Sequence, residues 1–389
     1  MINFKNNIAV FLLGSCALIC LYSTQPVLGN IALWANVSMA KTALTISATT
    51  LGVAVVAPFS GLTSDYFGRK RVIVTAITLL FLITLIAIFA WNFTSLLVFR
   101  FLQGLTIPFI FSSTIAYIAE QWEGNESTKL NSIYVAGTAF GGFSGRFFSG
   151  VTSDLYGSWQ STFVALAAIL FIILIVVAKF LPKERNFVRI STSKEIVNGL
   201  LVYVKDKKIL ITCFIAFVLL FQQVSSFTFG SLLLAKPPFN LSLLETGFIF
   251  IVFLIPSIIT PIMSTFINKL GYIWAFTITC LLGVSGLILT LLPNTIAVIT
   301  GLSLSCISVF FGQSCGTSFI AKYCKVFKSS AVGLYLFFYY MGGCFGGIIP
   351  AKIYEYSGWN SCIYLLIGLI ILSLVLSTFG WKEEKKANV

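Results

Sequence analysis

Long apolar runs dominate this chain and constrain its fold more than any other feature. A helix needs about 20 mostly apolar residues to cross the hydrocarbon core of a bilayer. Twelve runs approach or exceed that length. They are residues 7–29, 43–62, 71–91, 94–118, 129–151, 160–180, 209–234, 242–265, 273–292, 294–321, 328–352 and 360–380. Charged residues make up only 10% of the chain, against about 25% in soluble domains. The sequence therefore predicts an all-α integral membrane protein of twelve transmembrane helices, here numbered as spans one to twelve.

One long polar segment, residues 181–208, interrupts the series after span six. It begins with Lys183, Glu184 and Arg185 and ends with a second cluster of charges at 205–208. Most other connections have only a few residues, so neighbouring spans are expected to run antiparallel. We predict a six-helix bundle at 1–180, a cytoplasmic linker at 181–208 and a second six-helix bundle at 209–389.

The basic residues indicate which side of the membrane each connection faces. Twenty of the 25 Lys and Arg fall in connections on one side, and only Lys41, Lys236 and Lys352 fall on the other. Because cytoplasmic loops are enriched in Lys and Arg, the crowded side is predicted to be the cytoplasm, with both termini there. The net charge of +13 then reflects topology, and we expect no nucleic-acid partner.

Short polar motifs recur along the chain and indicate a duplicated unit. Residues 61–68 and 150–157 share Gly, Thr, Ser, Asp and Gly at the same spacing, 89 residues apart. The first copy follows span two and the second follows span five, which places them on opposite faces of the membrane. Weaker echoes in the second half are 268–271 and the glycine run 342–347. The pattern predicts two pseudo-symmetric six-helix halves, each a 3+3 inverted repeat.

The segment 61–71 carries three successive cations, Arg69, Lys70 and Arg71, at the start of span three. The dipole of a helix disfavours positive charge at that position, so the cations need another partner. Asp65 is close in sequence, and Glu120 ends span four. A cluster of Asp65, Arg69 and Glu120 would hold helix ends together when the cytoplasmic side is closed; the alternative is a topology anchor without a gating role. The predicted inner-gate residues are Gly61, Asp65, Gly68, Arg69, Lys70, Arg71 and Glu120.

Glycines cluster in spans five and eleven. Small residues at four-residue spacing let helices approach closely in lipid, and the same glycines would also allow the helices to bend or slide. Both readings stay open from the sequence. The predicted hinge or packing glycines are Gly137, Gly141, Gly142, Gly145, Gly342, Gly343, Gly346 and Gly347.

Together these motifs resemble the major facilitator superfamily, in its twelve-helix drug:proton-antiporter-like, efflux-type branch. Segment 61–71 is similar to the loop signature of that superfamily, and residues 100–104, Arg-Phe-Leu-Gln-Gly, match its R-x-x-Q-G signature in span four. Residues 137–142 resemble the span-five antiporter signature G-P-x-x-G-G, with Thr138 in place of proline. The run 22–26 and the pair Gly145-Arg146 resemble a group of bacterial inner-membrane members.

The resemblance covers essentially the whole chain, and it implies a mechanism without fixing a substrate. It implies a multi-pass protein of the bacterial inner membrane that moves a small molecule by alternating access of its two halves. It further implies export coupled to proton exchange, with no cofactor and no metal, and we expect a monomer. Thr138 departs from the antiporter signature, so uptake of a small organic anion or other metabolite is the alternative.

Two cations, Arg100 and Arg146, fall inside the predicted spans, where an ionised group is costly and usually functional. Asp154 lies eight residues after Arg146 on roughly the same helical face, so the two could pair. For Arg100 the resemblance implies a role near the cavity or in coupling. Two buried cations without acidic partners would instead suit an anionic substrate. Both interpretations of Arg146 stay open from the sequence.

Uncharged polar and aromatic side chains near the middle of the spans form a candidate substrate cavity. They could bond neighbouring helices or face a ligand. They are Tyr22, Gln25, Gln103, Asn131, Tyr134, Gln222, Gln223, Gln313, Tyr335 and Tyr339, with Tyr340 beside them. No Asp or Glu lies in mid-membrane, so the candidates for carrying a proton are Asp65, Glu120, Asp154 or a carboxylate of the substrate.

Other classes of protein are disfavoured by missing residues. The chain has no His, so the Gly-Phe-Ser-Gly sequence at 142–145 lacks the base that a serine nucleophile requires. No Gly-Lys dipeptide occurs, which excludes a P-loop for ATP. Nine scattered Cys without a C-x-x-C pattern indicate neither a metal site nor a disulfide framework. Composition alone leaves a receptor or a channel open, but the internal repeat favours a carrier.

Overall fold

The computed structural model describes residues 4–184, 200–324, 326 and 328–382. Within these residues every regular element is helical, which confirms the all-α prediction. Eight helices are long and apolar enough to cross a bilayer, and two shorter apolar helices, Lys41–Val56 and Leu243–Pro256, accompany them. The backbone polar groups of such segments are satisfied within each helix, as lipid requires.

Eight α-helices form the part of the chain up to Phe180, called here the N-terminal half. They are α1 (Phe4–Leu21), α2 (Leu28–Ala35), α3 (Leu44–Val56), α4 (Ser60–Phe67), α5 (Arg69–Ala87), α6 (Phe93–Gln121), α7 (Gly124–Tyr156) and α8 (Gln160–Phe180). A single 3₁₀ turn, Lys41–Ala43, precedes α3. Spans three to six each correspond to one helix.

Five α-helices form the part from Lys207 onward, called the C-terminal half. They are α9 (Lys207–Leu234), α10 (Leu243–Ile249), α11 (Leu254–Leu289), α12 (Thr295–Tyr323) and α13 (Lys328–Gly380). A 3₁₀ turn, Phe250–Phe253, joins α10 to α11. Much of the predicted linker, residues 185–199, lies outside the described part, so the boundaries at 181 and 208 stay predictions.

Glycines with positive φ mark the point where each three-helix unit turns between its second and third spans. The ranges α11 and α13 each cover two predicted spans and contain two helical stretches, which meet at a kink where the backbone of Gly271 (φ 80°) or Gly358 (φ 74°) is not helical. Gly68 (φ 94°) separates α4 from α5, and Gly157 (φ 64°) follows α7. Side chains resist this backbone conformation, whereas glycine adopts it readily.

The same four positions reveal a complete fourfold repeat. Each glycine follows an acidic residue or Asn by three positions: Asp65, Asp154, Asn268 and Glu355. The sequence motif predicted the first three copies but not the fourth, Glu355–Gly358, which shares only Tyr356 and its glycine with the first copy. We call the two ends of the bundle the Gly68 end and the Gly157 end.

Span one is not the continuous helix predicted for 7–29. Helix α1 ends at Leu21, a buried turn occupies 22–27, and α2 begins at Leu28. Pro26 explains part of this break, since proline lacks an N–H donor and disfavours helical geometry in the residue before it. The turn gives the side chains of Tyr22 and Gln25 positions that a continuous helix would not provide.

Span five packs backbone to backbone against span one. A Cβ atom at Gly137, Gly141 or Gly145 of α7 would overlap the carbonyl oxygens of successive turns of α1. The second half repeats this arrangement, with Gly342 and Gly346 of α13 against carbonyl oxygens of α9. In this conformation these five glycines serve close packing.

The remaining glycines of spans five and eleven lie elsewhere. Gly343 and Gly347 of α13 face Thr50 and Ser47 of α3 across the boundary between the halves. At the same boundary the Ser47 hydroxyl donates to the Cys344 carbonyl over 2.8 Å. Gly142 meets only ordinary contacts.

Gly141→Ala tests the backbone contact between α1 and α7. The added methyl would overlap Ser15, and overpacking of this kind costs about 1–3 kcal/mol. We expect a lower thermal unfolding midpoint in detergent, measured with a thiol-reactive dye that reports exposure of the nine buried cysteines. Gly368→Ala is the control, because a methyl there meets no atom within 4 Å. Equal midpoints for the two variants would contradict the packing role.

Candidate functional site

Arg100 occupies the gap that the break in span one creates. Its guanidinium is fully buried and donates to the carbonyl oxygens of Cys20 (2.8 Å) and Leu21 (2.7 Å), the last residues of α1. It also donates to the Thr45 carbonyl (3.1 Å) and to Oε1 of Gln103 (2.7 Å). Carbonyl groups at the C-terminal end of a helix lack intrahelical partners and carry partial negative charge. The Arg100 cation caps this helix end by donating hydrogen bonds to them.

These contacts revise the interpretation of Arg100 as a cation open to substrate. Four of its five N–H donors are used by the protein, and no part of the side chain is exposed. The amide of Gln103 is also committed, since its Nε2 donates to the Thr84 hydroxyl over 2.8 Å. In this conformation Arg100 and Gln103 hold spans one, two, three and four together.

Arg146, on α7, lies in an aromatic cage that both halves of the protein build. The carbon of its guanidinium is 4.5 Å from the ring centre of Tyr22, 4.8 Å from that of Phe250 and 4.3 Å from that of Phe253. Tyr22 belongs to the N-terminal half, and the two Phe belong to the 3₁₀ turn of the C-terminal half. Aromatic faces attract cations, more strongly when both are removed from water.

Two hydrogen bonds of the Arg146 guanidinium are found in the described part of the chain. Nε donates to Oε1 of Gln25 over 2.6 Å, and Nη1 donates to the Gly142 carbonyl. Among the described residues Nη2 has no hydrogen-bond acceptor, although the side chain is only 2% exposed. Nor does any ion pair in the described ranges join Arg146 to Asp154, which is exposed. The predicted alternative of an Arg146–Asp154 pair is therefore wrong for this conformation.

Gln25 connects the Arg146 cage to the opposite half. Its Nε2 donates to the hydroxyl of Thr228 on α9 over 3.0 Å. Gln25 is only 1% exposed, and both the oxygen and the nitrogen of its amide are hydrogen-bonded. It therefore links Arg146 to Thr228 through buried hydrogen bonds.

Four tyrosines, Tyr22, Tyr134, Tyr339 and Tyr340, lie close to one another where the halves meet, and Tyr335 packs beside Tyr339. The side chain of Tyr22 is close enough to those of Tyr339 and Tyr340 to interact with them electrostatically, and Tyr134 is equally close to Tyr340. The rings of Tyr335 and Tyr339 are stacked, with centres 6.3 Å apart. The hydroxyls of Tyr134 and Tyr335 are buried without a hydrogen-bond partner in the described structure. A buried hydroxyl without a partner costs about 1–3 kcal/mol, which favours a ligand or water that supplies one.

The predicted cavity amides divide into two groups. Gln222 and Gln223 each donate to a neighbouring helix of their own half, to the hydroxyl of Ser305 (3.0 Å) and to the sulfur of Cys306 (3.9 Å). Gln313 lies 3.5 Å from the Tyr339 hydroxyl, and Asn131 is half-buried. Gln25 and Gln313 thus lie beside the tyrosines, whereas Gln103, Gln222 and Gln223 connect helices.

A second polar network lies at the Gly68 end. Arg69, only 4% exposed, pairs side-on with Glu120 of α6, with Nη2–Oε1 at 2.6 Å and Nε–Oε2 at 3.2 Å. Its Nη1 donates to the Ser64 hydroxyl, and its backbone N–H donates to Glu184. A side chain at Gly68 would overlap that Glu184 carboxylate, so the glycine also makes room for it.

The other cations of the motif have different surroundings. Lys70 donates to carbonyl oxygens at the end of α8, Ala178 (3.1 Å) and Leu181 (2.5 Å). Burial and the nearby Lys183 lower the pKa of Lys70. Arg71 is exposed. Gly61 lies in α4, and the Asp65 side chain is outside the described part of the structure.

The contacts named above for the network at the Gly68 end join the α4–α5 junction, α6 and the segment after α8. They hold together helix ends of the N-terminal half, as the predicted cluster of Arg69 and Glu120 requires. Its role as an inner gate stays a prediction.

Several contributors to both networks were missed by sequence reasoning. In the sequence Glu184 is one charge in a basic linker. Its partner, the backbone N–H of Arg69, lies 115 residues earlier in the chain. Thr228, Phe250 and Phe253 are ordinary residues of apolar spans, so no local signal marks them. Thr45 contributes through its backbone carbonyl, which no sequence pattern reveals.

The family comparison matches residues 10–346 to the model described as the Major Facilitator Superfamily. An uncharacterized transporter of Buchnera aphidicola subsp. Schizaphis graminum is 27% identical over 371 residues, covering 95% of this chain and 90% of the relative. The inner membrane transport protein YnfM of Escherichia coli is 25% identical over 372 residues, covering 95% and 89%. A crystal structure of the nucleoside transporter NupG has a similar fold, with a TM-score of 0.76 at 15% identity, covering 97% of this chain and 100% of that one.

Arg100→Met should prevent normal folding, because it removes the guanidinium that donates to the Leu21 carbonyl and to Oε1 of Gln103, and it takes one donor each from the buried carbonyls of Cys20 and Thr45. Each unsatisfied group costs about 1–3 kcal/mol. We expect most of the monodisperse peak to be lost in size-exclusion chromatography of a fluorescent fusion. Arg71→Met is the matched control, since Arg71 is exposed, and it should elute as the parent does. A normal Arg100→Met peak would show that the cap is dispensable.

Glu120→Ala should destabilise the N-terminal half, because it removes the carboxylate partner of a buried guanidinium. Breaking a buried pair in this way costs about 3–5 kcal/mol. The expected result is a lower unfolding midpoint in the same thiol-dye assay. Glu123→Ala, an exposed acid in the turn after the same helix, should leave the midpoint unchanged. An unchanged midpoint for Glu120→Ala would contradict the structural importance of this pair.

Proposed function

This chain belongs to the Major Facilitator Superfamily, and from that premise we propose that it exports a small amphipathic molecule bearing an anionic group. Membership makes it a multi-pass membrane transporter and not an enzyme. The proposed transport proceeds by alternating access of the two halves and is coupled to proton exchange. The protein is proposed to lie in the bacterial inner membrane as a monomer, with both termini in the cytoplasm and the Gly157 end outside.

The observation that carries the proposal is the buried guanidinium of Arg146. A charge inside a membrane protein is costly unless an opposite charge or several hydrogen bonds compensate it. Here the described surroundings offer one amide oxygen, one carbonyl oxygen and three aromatic faces, and none of these carries a full negative charge. A carboxylate or similar group of the substrate would complete the site.

The surroundings of Arg146 also support an apolar, partly aromatic body for the substrate. Tyr22, Tyr134 and Tyr339 lie where the halves meet, and Tyr335 stacks on Tyr339. The buried hydroxyls of Tyr134 and Tyr335 have no hydrogen-bond partner among the described residues. We propose these tyrosines, Gln25 and Gln313 as substrate contacts. Asn131 is a peripheral candidate, whereas Gln103, Gln222 and Gln223 are assigned to helix contacts, as is Arg100.

Direction and coupling rest on the span-five glycines and on the distribution of acids. The resemblance of 137–142 to the antiporter signature favours export, and Thr138 keeps uptake of a small organic anion as the second candidate. We propose that the proton is carried by Asp65, Glu120, Asp154 or the substrate carboxylate itself. Because Glu120 pairs with Arg69, its protonation would also loosen the network at the Gly68 end.

Proteoliposomes with an imposed pH gradient test the anion preference. Benzoate and benzamide share size and shape but differ in charge, so they are the matched probes. We expect saturable transport of benzoate, reduced at least tenfold by Arg146→Gln and preserved by Arg71→Gln. Equal transport of benzamide, or full benzoate transport by Arg146→Gln, would overturn the proposal. Reversing the gradient tests direction: export by proton exchange predicts benzoate movement against the proton flux.

A further inference from the structure

We propose that Gln25 couples anion recognition to closure of the Gly157 end: an anion on Arg146 displaces the Gln25 amide and thereby releases its bond to Thr228 in the opposite half. The inference rests on the proposed role of Arg146 as the anion ligand. It adds a named residue that communicates binding to the conformational change.

The amide of Gln25 has only one orientation that satisfies both neighbours. A guanidinium only donates hydrogen bonds, so the oxygen of the amide must face Arg146 and its nitrogen must face Thr228. The observed distances, 2.6 Å to Nε of Arg146 and 3.0 Å to the Thr228 hydroxyl, fit this orientation. The bond to Thr228 is therefore made by an amide whose other end the cation holds.

The Nη2 group of Arg146, which has no acceptor among the described residues, indicates how a carboxylate would bind. A carboxylate binds a guanidinium most strongly by taking two parallel N–H bonds. Arg69 shows this arrangement within the same protein, where Glu120 takes Nε and Nη2 together. On Arg146 the same edge is half occupied: Gln25 holds Nε, and Nη2 has no acceptor among the described residues. A carboxylate that takes both donors must replace the Gln25 oxygen.

Displacement of Gln25 would weaken several contacts between the halves at once. The amide loses the partner that orients it toward Thr228. Neutralising Arg146 also weakens its attraction to the faces of Phe250 and Phe253, which both belong to the C-terminal half. All three contacts lie in one buried cluster, so one ligand would loosen them together.

The position of Gln25 in the chain permits this movement. It lies in the 22–27 turn between α1 and α2, where the backbone is not held by regular helical hydrogen bonds. Arg100 fixes the preceding helix end, so the turn can rearrange without disturbing α1. Closure of the Gly157 end and recognition of the anion thus share one side chain.

Distance measurements between the halves test the inference. Nitroxide labels at Lys41→Cys and Ala235→Cys, two exposed positions at the Gly157 end, would report its opening by double electron–electron resonance on the full chain in nanodiscs. The nine native cysteines are buried. Benzoate is expected to shift the distribution to longer distances, and benzamide is expected to leave it unchanged.

Thr228→Val separates coupling from binding, because it removes the hydroxyl and keeps the shape. It should populate the longer distance without any ligand. By linkage it should also tighten benzoate binding, about two- to tenfold, since the ligand no longer works against that bond. Thr228→Ser retains the hydroxyl and should behave as the parent. A Thr228→Val protein with the parent's distances and benzoate Kd would overturn the inference.

Gln25→Glu places a permanent carboxylate beside Arg146 and removes the donor to Thr228. We expect the longer distance at rest, benzoate binding weakened more than tenfold, and no response to benzoate. If the parent binds benzoate without any change in distance, the coupling is wrong while anion recognition stands. If the parent does not bind benzoate at all, the inference and the proposed function both fail.

Discussion

The requirement that every backbone polar group in a membrane be satisfied controls this structure, and Arg100 meets it at the most demanding position. Span one is broken at 22–27, and lipid offers no water to the carbonyls that a broken helix exposes. Arg100 supplies donors from span four to the end of α1 and to the Thr45 carbonyl. The cap makes an irregular turn tolerable in the interior, and the rest of the site depends on that turn.

The break turns span one from a packing helix into part of the site. Tyr22 and Gln25 reach Arg146 because the backbone leaves the helical path there. Gln25 then contacts Thr228, and the cage is completed by Phe250 and Phe253 from the other half. The two intramembrane arginines thus have different tasks. Arg100 uses four of its five N–H donors within the protein and joins four spans, whereas Nη2 of Arg146, at the boundary between the halves, has no acceptor among the described residues.

Much of the fold was predictable because its determinants are local. Apolar run length indicates helices, and the recurring Gly68 and Gly157 motifs indicate the repeat, since only glycine adopts those backbone conformations easily. The sequence also named Glu120 as a partner for Arg69, an ion pair that the structure contains. It did not reveal the break in span one or the Glu184 contact, because each depends on groups that are distant in the chain. The fourth repeat copy at Gly358 was missed because it shares only two residues with the first copy.

The sequence by itself determined the class of protein, the number of spans, the repeat and the identity of the buried charges. Hydropathy and glycine conformation act within a few residues, so they can be read from the chain directly. Only the tertiary structure decided which groups surround each of the two buried arginines. Cys20 lies 80 residues from Arg100, Gln25 lies 121 residues from Arg146, and Gln25 and Thr228 are 203 residues apart. Packing between distant spans brings these groups together, and within the described residues it gives Arg100 four hydrogen bonds and Arg146 two.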